Sequence, residues 1–238
     1  MNIFQAYQSC LVVAAHPDDE VLGAGGTIAK LAQFGVEVSV IFLTGGKTGR
    51  VSLQKDAAHN LEAEQKQLAQ EASKACAILN VHKHYFLSFP DNRMDTISKM
   101  DVSHAIKEIA AVAKPDLALI HHHGDYNWDH SVAHDACMMA FRANPGDSFP
   151  QTILSFEVPS STERNVQTPE TVFCPNLYVD ITSTIDTKVK ALESYQSELK
   201  NFPHPRSIKG IQALAQKRGS EIGTEMAEAF SLVRHIEG

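Results

Sequence analysis

Short, continuous apolar runs alternate with longer stretches of helical spacing through the first half of the chain. Cys10–Ala15 (CLVVAA) carries no charged or amide side chain, as expected of a strand covered on both faces. Val21–Phe34 reads as a helix stopped by Gly35. Val36–Leu43 (VEVSVIFL) is a second, β-branched strand, followed by a glycine-bearing loop at Thr44–Arg50. Ala, Leu, Glu and Gln at helical spacing from about Ala57 to Leu79 predict the next helix. Val81–Leu87 predicts a third strand and Phe89–Asp95 (FPDNRMD) a turn-rich loop. A helix over about Ser98–Ala113 precedes Pro115, and Asp116–Ile120 is a fourth strand. The order βαβαβαβ, with right-handed crossovers, predicts an α/β fold: a single-domain, Rossmann-like three-layer sandwich with a mostly parallel sheet.

Beyond Arg142 the pattern weakens. Asn144–Pro150 reads as a loop, Thr152–Glu157 and Leu177–Ile181 as strands, and Ser160–Pro175 as polar and irregular. From Thr184 the spacing is mainly helical, interrupted at Asn201–Pro205 (NFPHP). No repeat, low-complexity tract or linker divides the chain. One domain is expected, its core over about residues 8–183 and its C-terminal helices over about 184–238.

A formal net charge of −7 over 238 residues argues against nucleic acid or an anionic membrane as partner. No apolar run approaches the roughly 20 residues that span a bilayer, and MNIFQAYQSC lacks the basic and apolar regions of a signal peptide. The four cysteines (Cys10, Cys76, Cys137, Cys174) form no CxxC pair and fit the reduced thiols of a cytoplasmic protein.

In an open parallel sheet, ligands bind beyond the carboxyl ends of the strands. The first predicted strand is followed by His16-Pro17-Asp18-Asp19-Glu20, the third by Pro90-Asp91-Asn92-Arg93, and the fourth by His121-His122-His123 and Asp125–His130 (DYNWDH). Imidazole and carboxylate side chains together suit zinc, with iron or another divalent ion open. His16 and Asp19, three apart across a strand-to-helix turn, can meet on one ion while Asp18 faces elsewhere. A catalytic zinc uses three protein ligands and keeps a position for water, so a third ligand is expected from the fourth loop. Amide attack needs a base, and Asp18, beside a ligand but free itself, is the natural one.

Ala15–Gly26 (AHPDDEVLGAGG) resembles the first motif of the LmbE-like, or PIG-L, deacetylases, and DYNWDH is similar to their second motif, usually His-Pro-Asp-His. The resemblance covers about residues 10–143. It implies metal-dependent hydrolysis of an N-acetyl group on a glucosaminyl compound, with His16, Asp19 and His130 on the metal, expected to be Zn²⁺, and Asp18 as general base. The implied substrate is an N-acetylated amino sugar or its conjugate, and a homo-oligomer is compatible with the family. One position departs from the pattern. Where the family often has a histidine, this chain has Asn127, which can donate to an oxyanion but cannot deliver a proton. Proton return to the amine then falls to Asp18, or to His204 or His134. Arg93, His204 and Arg206 are candidate substrate contacts.

Plainer readings stand beside these. Asp18 or Asp19 can be a helix cap, Asp129 likewise before His130, and His134 on a helix face is more often packed than bound. Gly46-Lys47-Thr48 lacks the preceding glycine of a P-loop, because that position is Ile41. The Gly23–Gly26 run lacks the third glycine of a dinucleotide fingerprint and suits close helix packing instead. Two rival functions are an amidase with the same metal centre acting on thiol-sugar conjugates or N-acyl peptides, and a non-catalytic sugar-binding domain.

Overall fold

The apolar run of the first strand splits between two cores. Cys10, Val12 and Ala14 point into one apolar cluster, and Leu11, Val13 and Ala15 into another. That division follows from the two-residue side-chain period of a strand, and it explains why the run contains no solvent-facing position. The computed structural model describes residues 6–47 and 58–237.

The elements are β1 (Ser9–Ala14), α1 (Asp19–Gln33), β2 (Glu37–Thr44), α2 (Ala58–Ile78), β3 (Lys83–Phe89), α3 (Lys99–Ala113), β4 (Leu117–His121), α4 (Trp128–Ala140), β5 (Thr152–Phe156), β6 (Leu177–Asp180), α5 (Ile185–Glu193), α6 (Ile208–Ser220) and β7 (Ala227–His235). The strands form one seven-stranded sheet in the order β3-β2-β1-β4-β5-β7-β6. β1 to β5 run parallel, with Val12 opposite Val40 and Leu119. β7 is antiparallel to both its neighbours. One face packs under α1, α2, α5 and α6, the other under α3 and α4. This is the expected three-layer α/β sandwich.

Local signals hold at most element ends. Gly35, at φ +80°, follows α1, and Ser98 Oγ caps α3 by accepting from Met100 N–H at 3.3 Å. Ala57 and residues 48–50 of the expected second loop lie outside the described residues.

One expectation fails. The chain is helical over α5 and α6, but 227–235 is strand, not helix. Ala and Glu favour helix in isolation, yet pairing with β5 and β6 buries Ala227, Ala229 and Phe230. Tertiary burial overrides the local preference. The C-terminal part is thus woven into the sheet, between β5 and β6, and does not stand apart as helices.

Because β1 has β2 on one side and β4 on the other, chain connections diverge there. This is the switch point at which α/β sheets open a crevice, and it brings the loops after β1 and β4 side by side.

Candidate metal centre and active site

His16, on the turn leaving β1, faces Asp19 and His130. His16 Nδ1 is 3.2 Å from Asp19 Oδ2 and 3.3 Å from His130 Nε2, and His130 Nε2 is 3.2 Å from Asp19 Oδ2. One ligand atom from each residue thus lies within 4.8 Å of the other two. The sheet brings His130 there from the first turn of α4, 111 positions beyond Asp19 (130 − 19).

The far nitrogens of both rings meet carboxylates. His16 Nε2 lies 3.1 Å from Asp129 Oδ2 and 3.1 Å from Asp91 Oδ1. His130 Nδ1 lies 3.2 Å from Asp125 Oδ1, without the geometry of a hydrogen bond. A carboxylate behind each imidazole favours a ring proton on the outer nitrogen, which would leave the inner nitrogen's lone pair for a cation, the arrangement usual for metal-binding histidines. Asp129 is itself fixed by backbone N–H donors from Asn92 (2.6 Å) and Met94 (3.0 Å). Asp125 accepts from Thr162 Oγ1 at 2.6 Å and from Ser161 Oγ. Neither role is written in the motif spacing, although both aspartates sit within five residues of His130.

Charge follows this geometry. Burial pushes the His16 and His130 rings down, but the carboxylates more than offset it: His16 is held well above the usual histidine range, and His130 is raised to about 9. Burial opposes ionisation of Asp19, but His130 and His16 hold its pKa well below the usual carboxylate range. Its second oxygen, Oδ1, is buried with no hydrogen-bond partner. An ionised carboxylate with an unsatisfied buried oxygen, facing two imidazole nitrogens, fits a divalent cation. His121 does not join this set. Its Nε2 accepts the Ala15 N–H at 2.8 Å, and its ring stacks on His130 at 4.0 Å between centroids.

Asp18 immediately precedes Asp19, at φ +110°. It is the N-cap position of α1 but makes no side-chain cap. Its Oδ2 instead accepts from Arg206 Nη1 at 2.8 Å. Burial raises its pKa to about 7, with Arg206 pulling the other way. Behind it, Glu20 accepts from Tyr195 Oη at 2.5 Å and from Asp18 N–H at 3.1 Å. Asp18, His16, Asn127 and Arg206 share the wall of a cleft of about 210 Å³. Asn127 caps α4, its Oδ1 accepting from Asp129 N–H at 2.9 Å, so that its amide NH₂ is the group with protons to give.

Lys47 and Glu198 pair across another part of the cleft wall, with Lys47 Nζ also 3.1 Å from Ser197 Oγ. Thr48 lies outside the described residues. Two sequence-level candidates stand apart from the cleft lining: Arg93 is exposed, and His204 Nδ1 accepts Arg206 N–H at 3.1 Å. His134 is packed, its Nδ1 2.9 Å from His121 O.

The family model for the GlcNAc-PI de-N-acetylases (PIG-L) matches residues 11–141, more than half of the chain. The chain belongs to the PIG-L family. The matched stretch contains every residue of the His16–Asp19–His130 cluster, whereas Arg206 lies outside it. Among PIG-L relatives, the chain is 30% identical over 164 residues to the 1D-myo-inositol 2-acetamido-2-deoxy-α-D-glucopyranoside deacetylase of Thermobifida fusca, covering 60% of this chain and 57% of that enzyme. The chain thus spans little more than half of that relative's length. Its fold is similar to the N,N'-diacetylchitobiose deacetylase of Pyrococcus horikoshii, with a TM-score of 0.77 at 23% identity over 98% of this chain and 86% of that one. It is also similar to the 4-carboxy-2-hydroxymuconate hydratase of Pseudomonas putida KT2440, with a TM-score of 0.73 at 23% identity over 97% and 99%. A hydratase shares the scaffold, so the scaffold alone does not select the reaction.

Proposed function

We propose that this PIG-L protein is a zinc-dependent N-deacetylase acting on an N-acetylglucosamine-type amino sugar or its conjugate. One observation carries the reading: two imidazole nitrogens and a carboxylate oxygen converge beside a cleft whose wall holds a separate, buried carboxylate, Asp18. His16, Asp19 and His130 would hold the ion. When bound, such an ion supplies Lewis acidity towards a carbonyl oxygen and acidifies water.

The chain's own residues supply the rest. Arg206 engages Oδ2 of Asp18, which leaves Oδ1 to take the proton of the attacking water. A base with a pKa near neutrality is matched to that task. The water oxygen bonds to the acyl carbon, and the Asn127 amide donates to the oxygen that gains charge. Removing such a donor costs about 2.7–4 kcal/mol in other enzymes. The C–N bond then breaks, and Asp18 returns its proton to the departing nitrogen, giving acetate and a free amine. No histidine is required for this return, consistent with asparagine at position 127.

Asp18→Asn tests the assignment. It should keep stoichiometric zinc and lose about 10²–10⁴-fold in turnover, while His16→Ala should lose zinc and turnover together. An active Asp18→Asn variant would remove the base from this account. A pure sugar-binding domain is disfavoured because binding alone gives no use to Asp18 beside a ligand set.

A further inference from the structure

Asp18 stands at the N-cap of α1, where an aspartate side chain ordinarily accepts from N–H groups of the first turn. Here its carboxylate makes no such bond. Its backbone oxygen accepts from Val21 and Leu22 N–H instead, at 3.1 and 2.9 Å, and its φ is +110°. Residues other than glycine keep a positive φ only where their surroundings fix it. Two buried side chains stand behind this one. Glu20 Oε2 accepts the Asp18 N–H at 3.1 Å, in the manner of one half of a capping box, the reach back from the first turn to the amide of the cap. The other half, a bond from the cap side chain, is left out. Glu20 Oε1 accepts from Tyr195 Oη at 2.5 Å, and both residues are fully buried.

We propose that Glu20 and Tyr195 are positioning residues: together they tie down the Asp18 backbone, so that its carboxylate leaves the helix cap and faces the cleft. This rests on the reading of Asp18 as the base and adds the pair that aims it. The torsion that ends a glutamate side chain is broad, so packing alone leaves the carboxylate free to turn. A hydroxyl on one oxygen fixes that torsion and presents the other oxygen to the Asp18 N–H. The Tyr195 ring lies in the apolar cluster under α1, α2, α5 and α6, where a phenylalanine of the same shape would pack as well. The use of its hydroxyl is therefore against Glu20. Tyr195 follows α5 and lies outside residues 11–141, the stretch matched by the family model. The tie thus joins the turn that carries His16 and Asp19 to a segment 175 positions beyond Glu20.

Tyr195→Phe removes one hydroxyl and keeps the ring. In the zinc-loaded protein, amide hydrogen exchange at Asp18, followed by NMR, should become about 10-fold faster or more, while zinc stays stoichiometric. Acetate release from N,N'-diacetylchitobiose should fall about 10- to 100-fold in kcat, with KM within about 2-fold of the parent. Glu20→Gln should act likewise. The double variant should lose no more in kcat than the worse single one, because both act through one contact. A buried bond that served stability alone would lower the urea midpoint and leave both kcat and Asp18 exchange where they were. Unchanged Asp18 exchange, an unchanged kcat in an active protein, or losses that multiply in the double variant overturns the proposal. If the parent releases no acetate but Asp18 exchange still quickens in both single variants, the deacetylase reading falls and the tie stands.

Discussion

At the scale of single residues, His16 and His130 are held between two sets of carboxylates, Asp19 on the inner side and Asp129, Asp91 and Asp125 on the outer. Burial lowers both rings' affinity for protons, but the carboxylates reverse this, lifting His130 to about 9 and His16 well above its usual range. Without a cation, the carboxylates thus favour the doubly protonated form of both rings. A zinc ion held there would have to displace such protons, because its ligand nitrogens must be neutral lone pairs. The sign is clear: acid favours the protonated rings and weakens zinc, and base favours zinc up to the point where both rings are already neutral. Calorimetry near pH 7 in buffers of different ionisation enthalpy should detect release of roughly one to two protons per zinc. Zinc uptake with no proton release would contradict this assignment of charge.

Among the elements, α1 matters most, because the turn before it and its first residue carry His16, Asp18 and Asp19. It lies against the sheet through glycines. A Cβ built on Gly23 would sit 2.3 Å from the Phe156 ring, and one on Gly26 would sit 2.8 Å from Ile181. Replacing a helical glycine by alanine stabilises an exposed helix by about 1 kcal/mol. Here the opposing cost is overpacking against a fully buried ring, about 1–3 kcal/mol or more. Gly23→Ala should therefore lower the urea midpoint of unfolding, and a variant as stable as the parent would show that α1 can move off β5. The HPDDE turn, the strand–helix alternation to residue 121 and the packing role of these glycines were legible because each is a local pattern. β7 was not, because its pairing with β5 and β6 outweighs the helical leaning of Ala227 and Glu228. The meeting of Arg206 with Asp18, 188 positions apart, has no local trace either. Nor do the backing roles of Asp125 and Asp129: the sequence marks them as polar loop residues, and only the packing of three loops tells which imidazole each supports. Arg93 had the same local credentials as Arg206, yet it projects into solvent.

For the whole molecule, one buried ion pair binds three distant segments. Lys188 of α5 is 2.5 Å from Glu228 of β7, and both side chains are about 4% exposed. Glu228 also accepts from Gly26 and Thr27 N–H of α1, at 2.9 and 2.7 Å, and Lys188 donates to Leu22 O at 3.0 Å. Leu22 C=O and Gly26 N–H, four residues apart and natural partners within a helix, are thereby each given a side-chain partner. Lys188→Met would leave Glu228 buried without its cation, at a cost of about 3–5 kcal/mol. Adding Glu228→Gln should recover part of that loss, because the glutamine carbonyl still accepts one backbone N–H. A single variant within about 1 kcal/mol of the parent would mean that the pair does not hold α1 to β7 and α5.

The same pair, the glycine contacts and the switch point between β1 and β4 all serve to keep two loops in register over one cluster of ligand atoms. The most direct test is acetate release from N-acetylglucosamine, N,N'-diacetylchitobiose and an inositol-linked N-acetylglucosamine, measured against equivalents of zinc added to the chelated protein. Release from at least one of them should be absent without metal, rise to a plateau at one equivalent, and stay absent in His130→Ala at the same zinc. Release that persists in the fully chelated protein, or none from any of the three once one zinc is bound, would contradict the account.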